Sequence, residues 1–275
     1  MFCMFYTVNC KMKNCREEWY DKEAKVAVTV VDVTDAAQAL ARGHLCGPTS
    51  AYFLSKALAA AALLGGEMSE ADETLALQMK CEGPLGGFNV ECTAAGTLRG
   101  YTERKVLDGF DGMGPPDCRK AVGRRQIQVV RSVPGRILSQ GVSTSLDGYL
   151  AGSLQRRAAV FLEAAVSDDV EVSEARGVMV EELPDAARTG VLSVDLLGAA
   201  RAGALAVSSR NILGRLGLAR AELRRTTPLS FACRCSPGRA AAMLAALPPG
   251  ERAALPPAVD VTCHMCGRTF TVRTK

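Results

Sequence analysis

Aromatic side chains and long apolar runs are scarce in this chain of 275 residues. Phe, Trp and Tyr make up 5% of it, although hydrophobic residues reach 48%. Ala, Leu and Val must therefore fill most of any core. Lys56 interrupts the best candidate for the roughly 18 uncharged apolar residues of a membrane-spanning helix. Because the N-terminus also lacks a basic stretch followed by an apolar run, we expect a soluble protein that is not exported.

Familiar catalytic motifs are missing as well. The chain has no P-loop, no G-x-G-x-x-G, no H-E-x-x-H and no G-x-S-x-G. His44 and Cys46 could be imagined as base and nucleophile, but no third group that would orient them is evident, so a helix-end His beside a buried Cys is favoured. The glycine-rich run 83–87 lies between two predicted strands, which favours a hairpin turn over a phosphate-binding loop. The chain is therefore predicted not to be an enzyme.

Cysteine is abundant, and four of the 11 cysteines form a metal-binding pattern near the C-terminus. Cys233 and Cys235 form a C-x-C pair, and a C-x-x-C pair, Cys263 and Cys266, follows after 27 residues. Tetrahedral Zn²⁺ binds four thiolates at about 2.3 Å, so these residues are predicted to hold one zinc ion per chain. His264 lies between two of them and is expected to be exposed, because four thiolates already complete the coordination.

The sequence around these cysteines predicts a small module from about residue 231 to residue 275. Ser236 followed by Pro237 is typical of a helix start, and apolar residues then recur at helical spacing. Alternating residues at 259–261 and 270–272 predict a hairpin with the second cysteine pair at its tip. A module of this size has few apolar residues, so zinc ligation, worth about 10–16 kcal/mol, is expected to decide whether it folds.

A site with four thiolates has two interpretations. It can be a permanent structural zinc site, which is the commoner case. It can also be a redox switch, because thiolates are the form of Cys that oxidants attack and an oxidised site loses its metal. The residues alone leave both open.

Two regions of the sequence resemble the heat shock protein 33 family. The first is the cysteine pattern itself, preceded by Pro-Leu-Ser-Phe at 228–231 and followed by Gly-Arg-Thr-Phe at 267–270. The second is the stretch 75–90 with its Gly-Pro turn, followed by Leu-Arg-Gly-Tyr at 98–101, which is similar to a strand, turn and strand of the family's core. Shorter similarities at 49–65, 148–155 and 175–179 extend the resemblance from about residue 25 to residue 275.

The resemblance implies a function. Members of this family are oxidation-activated holdase chaperones, so it implies a redox-regulated, ATP-independent holdase that binds unfolding client proteins and needs no nucleotide. It also implies that the oxidised form carries the disulfides Cys233–Cys235 and Cys263–Cys266 and is a homodimer.

The chain is predicted to divide into three parts. Residues 1–182 form an α+β chaperone core, within which residues 1–24 match no part of the family pattern and are either a divergent N-terminal arm or the result of a misassigned translation start. Residues 183–230 form a helical linker, and residues 231–275 form the zinc-binding redox-switch domain. Five glycines interrupt the linker, each costing a helix about 0.5–1 kcal/mol, so its helices should be weak. By resemblance, the linker is metastable and exposes apolar surface when it unfolds.

The linker also supports a different hypothesis, a zinc-knuckle protein that binds nucleic acid. Its basic side chains could grip phosphates; they are Arg188, Arg201, Arg210, Arg215, Arg220, Arg224 and Arg225. The net charge of only +4 and the few aromatic side chains available for base stacking favour the chaperone instead.

The remaining cysteines do not form the regular pattern of a secreted disulfide scaffold, which favours a reducing cytoplasm. Three of them lie in or near predicted strands and are expected to be inert packing residues; they are Cys81, Cys92 and Cys118. The other four, for which the sequence suggests no role of their own, are Cys3, Cys10, Cys15 and Cys46.

Overall fold

Two β-sheets, one long buried helix and a C-terminal hairpin make up the α+β architecture that the sequence predicted. The computed structural model describes residues 14–113, 117–183 and 212–274. In chain order the elements are β1 (Cys15–Asp21), β2 (Val26–Asp32), α1 (Thr34–Gly43), α2 (Pro48–Leu64), β3 (Thr74–Cys81), β4 (Gly87–Thr93), β5 (Thr97–Thr102), α3 (Cys118–Val122), β6 (Arg125–Val133), β7 (Arg136–Ser143), α4 (Leu146–Ser153), β8 (Arg157–Val166), β9 (Val172–Glu182), α5 (Ile212–Arg215), β10 (Glu222–Pro228), β11 (Ser230–Phe231), α6 (Pro237–Ala245), α7 (Pro249–Ala253), β12 (Ala258–Thr262) and β13 (Thr269–Arg273).

The strands form two large sheets and one small one. The first sheet has the order β10-β1-β2-β9-β8 and is antiparallel throughout. The second has the order β11-β5-β4-β3-β6-β7, in which only β11 runs parallel to its neighbour, β5. The third is the antiparallel pair β12-β13. The glycine-rich run 83–87 connects β3 to β4, as expected of a hairpin turn.

Helix α2 occupies the space between the two large sheets. It contacts β8 and β9 of the first sheet and β4 and β5 of the second. Its residues are apolar on nearly all sides, which is typical of a buried helix. The carboxylate of Asp111 caps its N-terminus by accepting a hydrogen bond of 2.9 Å from the amide of Thr49. Neither α2 nor any other helix in the described part of the chain is long and apolar enough to cross a membrane.

Strand β1 lies inside the N-terminal arm and forms part of the first sheet, between β10 and β2. Its Arg16 is only 2% exposed. The guanidinium donates to the carbonyl oxygen of Ala62 in α2 at 3.1 Å and pairs with Glu18 at 3.0 Å. It also lies 3.4 Å from the hydroxyl of Thr227 in β10. Residues 15–21 are therefore an integral part of the core.

The predicted helical linker is only partly described, since residues 184–211 lie outside the described residues. Helix α5 and the turn after it pack on the outer face of the first sheet through Ile212, Leu216 and Leu218. The helical prediction is wrong for Glu222–Pro228, which forms strand β10. Pairing with the backbone of β1 and a two-pronged ion pair between Arg225 and Glu18 override the weak helical preference of this stretch.

Candidate metal centre

The four predicted ligands come together at one point. The Sγ atoms of Cys233 and Cys263 are 3.8 Å apart, those of Cys235 and Cys266 are 3.5 Å apart, and all four lie within 4.8 Å of one another. A tetrahedron of sulfurs around zinc, with bonds of about 2.3 Å, has edges of about 3.8 Å. The four side chains therefore have the spacing of a four-coordinate metal site.

Local structure positions each cysteine pair. The first pair follows β11 and is closed off by α6, where the Ser236 hydroxyl accepts a hydrogen bond of 3.2 Å from the amide of Arg239. The second pair lies in the turn between β12 and β13, as the alternating residues predicted. Within that turn, the amide of Cys263 donates to the carbonyl oxygen of Arg268 at 2.9 Å. The amide of Gly267 donates to the carbonyl oxygen of Cys263, also at 2.9 Å.

Both halves of the cluster are hydrogen-bonded to strand β5 of the core. On the first half, the amide of Ala232 donates to the carbonyl oxygen of Leu98 at 3.1 Å. On the second half, the amide of Gly100 donates to the carbonyl oxygen of Met265 at 3.0 Å. The module is thus built onto the edge of the second sheet.

Two glycines allow the cysteine turn to touch the end of α1. Gly267 has φ +72°, and a Cβ atom there would lie 1.9 Å from the carbonyl oxygen of Gly43. A Cβ on Gly43 would in turn lie 2.7 Å from the carbonyl oxygen of Cys266. Since real side chains never approach backbone this closely, glycine is required on both sides of this contact.

The two histidines flank the cluster without joining its four sulfurs. His44 ends α1, is buried, and donates through Nε2 to the carbonyl oxygen of Gly100 at 2.9 Å. Burial, helped by the charge of Lys105, lowers the pKa of its imidazole to about 4. His264 is exposed, as expected, and its ring meets Tyr101 edge-on at 5.7 Å. His44 therefore has the structural role that the sequence favoured.

The Cys233 thiol has an unusual electrostatic setting. Burial raises its pKa, but hydrogen bonds from Cys235 and from Arg99 outweigh this and bring the pKa down to about 7. Arg99 donates to the Cys233 sulfur at 3.9 Å and is itself held by Glu91 at 2.7 Å. Burial and its sulfur neighbours raise the pKa of Cys235. The sequence did not point to Arg99 or Glu91, because their contact with the cluster bridges residues far apart in the chain.

The cysteines of the core differ from Cys233 in burial and in thiol pKa. Cys92 is completely buried, as expected for a packing residue, and burial raises its pKa to about 11. Burial likewise raises the pKa of Cys15 to about 11, and it raises the pKa values of Cys46 and Cys81. Cys118 is the first residue of α3. Thiols with raised pKa values carry little thiolate at neutral pH, so the lowered pKa of Cys233 sets this thiol apart from those of Cys15, Cys46, Cys81 and Cys92.

Comparison with known proteins agrees with this geometry. A family model described as Hsp33 protein matches residues 18–273. The chain belongs to the Hsp33 family. The resemblance seen in the sequence is therefore confirmed, and the match extends into β1.

Named members of the Hsp33 family match over most of their length. The chain is 29% identical to the 33 kDa chaperonin of Thermus thermophilus, over 90% of this chain and 81% of that protein. It is 28% identical to the 33 kDa chaperonin of Lacticaseibacillus paracasei, over 88% and 90%. The crystal structure of the 33 kDa chaperonin, a heat shock protein 33 homolog, of Thermotoga maritima superposes with a TM-score of 0.83 over 96% of both chains. At 18% identity, that similarity concerns the Hsp33 fold.

Proposed function

We propose that this Hsp33-family chaperone is a redox-regulated, ATP-independent holdase that binds unfolding proteins after its C-terminal cysteines are oxidised. One observation carries the proposal: the four-sulfur cluster is also the point where the C-terminal module joins the core. The turn that carries Cys263 and Cys266 is hydrogen-bonded to β5 and touches α1 through the backbone of Gly43. A chemical change at the sulfurs therefore acts directly on the contact between module and core.

Cys233, Cys235, Cys263 and Cys266 are the residues that would hold the metal, one ion per chain. Their sulfur spacing and the softness of thiolate ligands favour zinc. When bound, zinc supplies the ligation, about 10–16 kcal/mol in small peptides, that folds the module. Because α6 has only one buried residue, Ala240, the module has little apolar core to hold it together otherwise.

Oxidation by a peroxide removes these ligands. In each pair, one thiolate attacks a peroxide oxygen, the O–O bond breaks, and a sulfenic acid and hydroxide form. The second thiolate attacks the sulfenic sulfur and expels a second hydroxide. Each pair gives up two electrons, and the two hydroxides take up two protons, so one peroxide becomes two waters. By resemblance, the bonds formed are Cys233–Cys235 and Cys263–Cys266.

The linker connects this change to client binding. Once the module leaves β5, the C-terminal part of segment 183–230 keeps the pairing of β10 with β1 but loses the support of the module. Ile212, Leu216 and Leu218 can then leave the first sheet, which uncovers apolar side chains such as Val28 and Val180. Surface of this kind binds unfolded proteins through the hydrophobic effect, which requires no nucleotide. A cytoplasmic location and a homodimer in the oxidised form complete the proposal.

Light scattering tests the proposal directly. An aggregating client protein is mixed with protein that was either kept reduced with zinc or treated with peroxide at an unfolding temperature, and zinc content is measured alongside. We expect only the oxidised, zinc-free form to suppress aggregation, and we expect reductant plus zinc to reverse this. Equal suppression by the reduced, zinc-loaded form would rule out the switch while leaving the chaperone assignment intact.

The nucleic-acid alternative finds less support in the described arginines. Arg220 pairs with Glu23 at 2.5 Å and Arg225 with Glu18 at 2.8 Å, so their charges are already matched. Arg188, Arg201 and Arg210 lie outside the described residues. A nucleic-acid binder would show association that weakens steeply with salt, and titration of labelled RNA at two salt concentrations would detect it.

A further inference from the structure

Arg99 and Glu91 form an ion pair next to the sulfur of Cys233. They lie opposite each other on β5 and β4, and their side chains are 17% and 20% exposed. The Glu91 carboxylate accepts from Nε of Arg99 at 2.7 Å and from Nη2 at 2.5 Å. The third nitrogen, Nη1, is left to donate to the sulfur of Cys233 at 3.9 Å.

This geometry fixes where the positive charge lies. A guanidinium is planar and presents its donors in a rigid fork, so the bonds to Glu91 also orient Nη1. Four thiolates around a divalent ion carry a net charge of −2, and the guanidinium offsets part of it at Cys233. A sulfur that accepts a charge-assisted hydrogen bond has less electron density to offer an oxidant.

We propose that Arg99 is a positioning residue that slows the attack of the Cys233 thiolate on peroxide and strengthens metal retention by the cluster. Glu91 acts through Arg99 by holding its guanidinium in place. This inference rests on the proposed function, because it treats the four cysteines as metal-bound thiolates that oxidation releases. According to this inference, Arg99 and Glu91 in the core set the rate at which the C-terminal cysteine cluster reacts with an oxidant.

The test uses the full-length, zinc-loaded protein. Zinc release after addition of excess hydrogen peroxide is followed with a chromophoric chelator, and zinc affinity is measured by competition with the same chelator. For Arg99→Gln we expect release roughly three- to tenfold faster and affinity roughly tenfold weaker, as is usual when a group that orients a metal ligand is lost. Glu91→Gln should act in the same direction with smaller effect. Arg99→Lys keeps the charge without the fork, so it should restore part of the affinity.

Arg131→Gln is the matched control. Arg131 is 21% exposed and pairs with Glu73, outside the cysteine cluster. Its loss should lower the melting temperature of the core and leave zinc release and affinity unchanged. Wild-type release and affinity in Arg99→Gln, or equal acceleration in Arg131→Gln, would overturn the proposal. Faster release from Arg99→Gln in a protein whose oxidised wild type holds no client would sustain this inference and reject the chaperone switch.

Discussion

The amide of Gly100 donates a hydrogen bond of 3.0 Å to the carbonyl oxygen of Met265, the residue just before the last cysteine of the cluster. The carbonyl oxygen of the same Gly100 accepts a hydrogen bond of 2.9 Å from His44 at the end of α1. One residue of β5 thus joins the cysteine turn to a core helix. The bond to Met265 should break when the turn moves away, whereas the bond between His44 and Gly100 lies within the core.

Replacing one ligand should abolish zinc binding. Cys263→Ser removes one of four thiolates and is expected to reduce the zinc content of the purified protein from one ion per chain to a small fraction, because a hydroxyl is a poor zinc ligand at neutral pH. Cys81→Ser, at a half-buried thiol in β3, is the control and should keep its zinc. Metal analysis after gel filtration measures this. A full complement of zinc in Cys263→Ser would show that the site is wrongly assigned.

Peptide mapping of the peroxide-treated protein should find Cys233 joined to Cys235 and Cys263 joined to Cys266. In the folded protein, sulfurs of different pairs lie close together, at 3.8 Å for Cys233 and Cys263 and 3.5 Å for Cys235 and Cys266. Residues two apart in an extended strand have Cα atoms about 6.5–7 Å apart, at the limit for a disulfide. The predicted C-x-C bond therefore requires local unfolding. Bonds across the pairs would reject this pairing and indicate oxidation within the folded cluster.

Gly267→Ala should loosen the contact between the cysteine turn and α1. Alanine is strained at φ +72°, and its Cβ would collide with the carbonyl oxygen of Gly43, for an expected cost of about 1–3 kcal/mol. Hydrogen exchange of the Gly100 amide should accelerate accordingly. Gly250→Ala, in the same module but with no atom within 4 Å of the added Cβ, should leave exchange unchanged. An unchanged rate in Gly267→Ala would mean that the turn does not depend on this contact.

Glu73 should make the core sensitive to acid. Its carboxylate is fully buried, which raises the pKa, but hydrogen bonds from Arg131 and from the amides of Ser69 and Glu70 outweigh burial and leave the pKa below its ordinary value. Its contribution to stability is therefore complete above the unfolded pKa of about 4.3 and is lost as pH falls through the folded value. Glu73→Gln should cost about 1–3 kcal/mol at pH 7 and flatten the loss of stability below pH about 5.

Melting temperatures measured across this pH range test the prediction. Glu82→Gln, at an exposed ion pair with Arg124, is the control and should follow wild type. Metal loss at low pH affects all three proteins alike, so only the difference between them is interpreted. A Glu73→Gln curve parallel to wild type would mean that Glu73 does not carry the acid sensitivity.

The parts of the fold that the sequence predicted well depend on neighbours close in the chain. The hairpin that carries Cys263 and Cys266 at its tip and the helix start at Ser236 each involve contacts within a few residues, and both were predicted correctly. A periodic pattern of apolar residues or a helix-capping residue in the sequence indicates such contacts directly.

The parts that it missed depend on partners far away in the chain. Strand β10 forms because it can pair with the edge of β1, about 200 residues earlier in the chain. The residues of Glu222–Pro228 themselves do not indicate this pairing. The contact between Arg99 and Cys233 joins residues 134 positions apart. Burial of Arg16 likewise depends on a carbonyl group of α2. Propensity and spacing carry no signal for contacts of this kind.

The pairing of β11 with β5 bears on how the proposed zinc site would reassemble after oxidation and reduction. Phe231 is fixed to Leu98, and Cys233 follows only two residues later, so the first cysteine pair stays near the core while β11 remains paired. The 27 residues between Cys235 and Cys263 then tether the second pair within about 30 Å of the first. Such a tether corresponds to an effective concentration in the millimolar range. With zinc in excess, we therefore expect reassembly of the two cysteine pairs after reduction to be first order, at a rate that does not change when the protein is diluted.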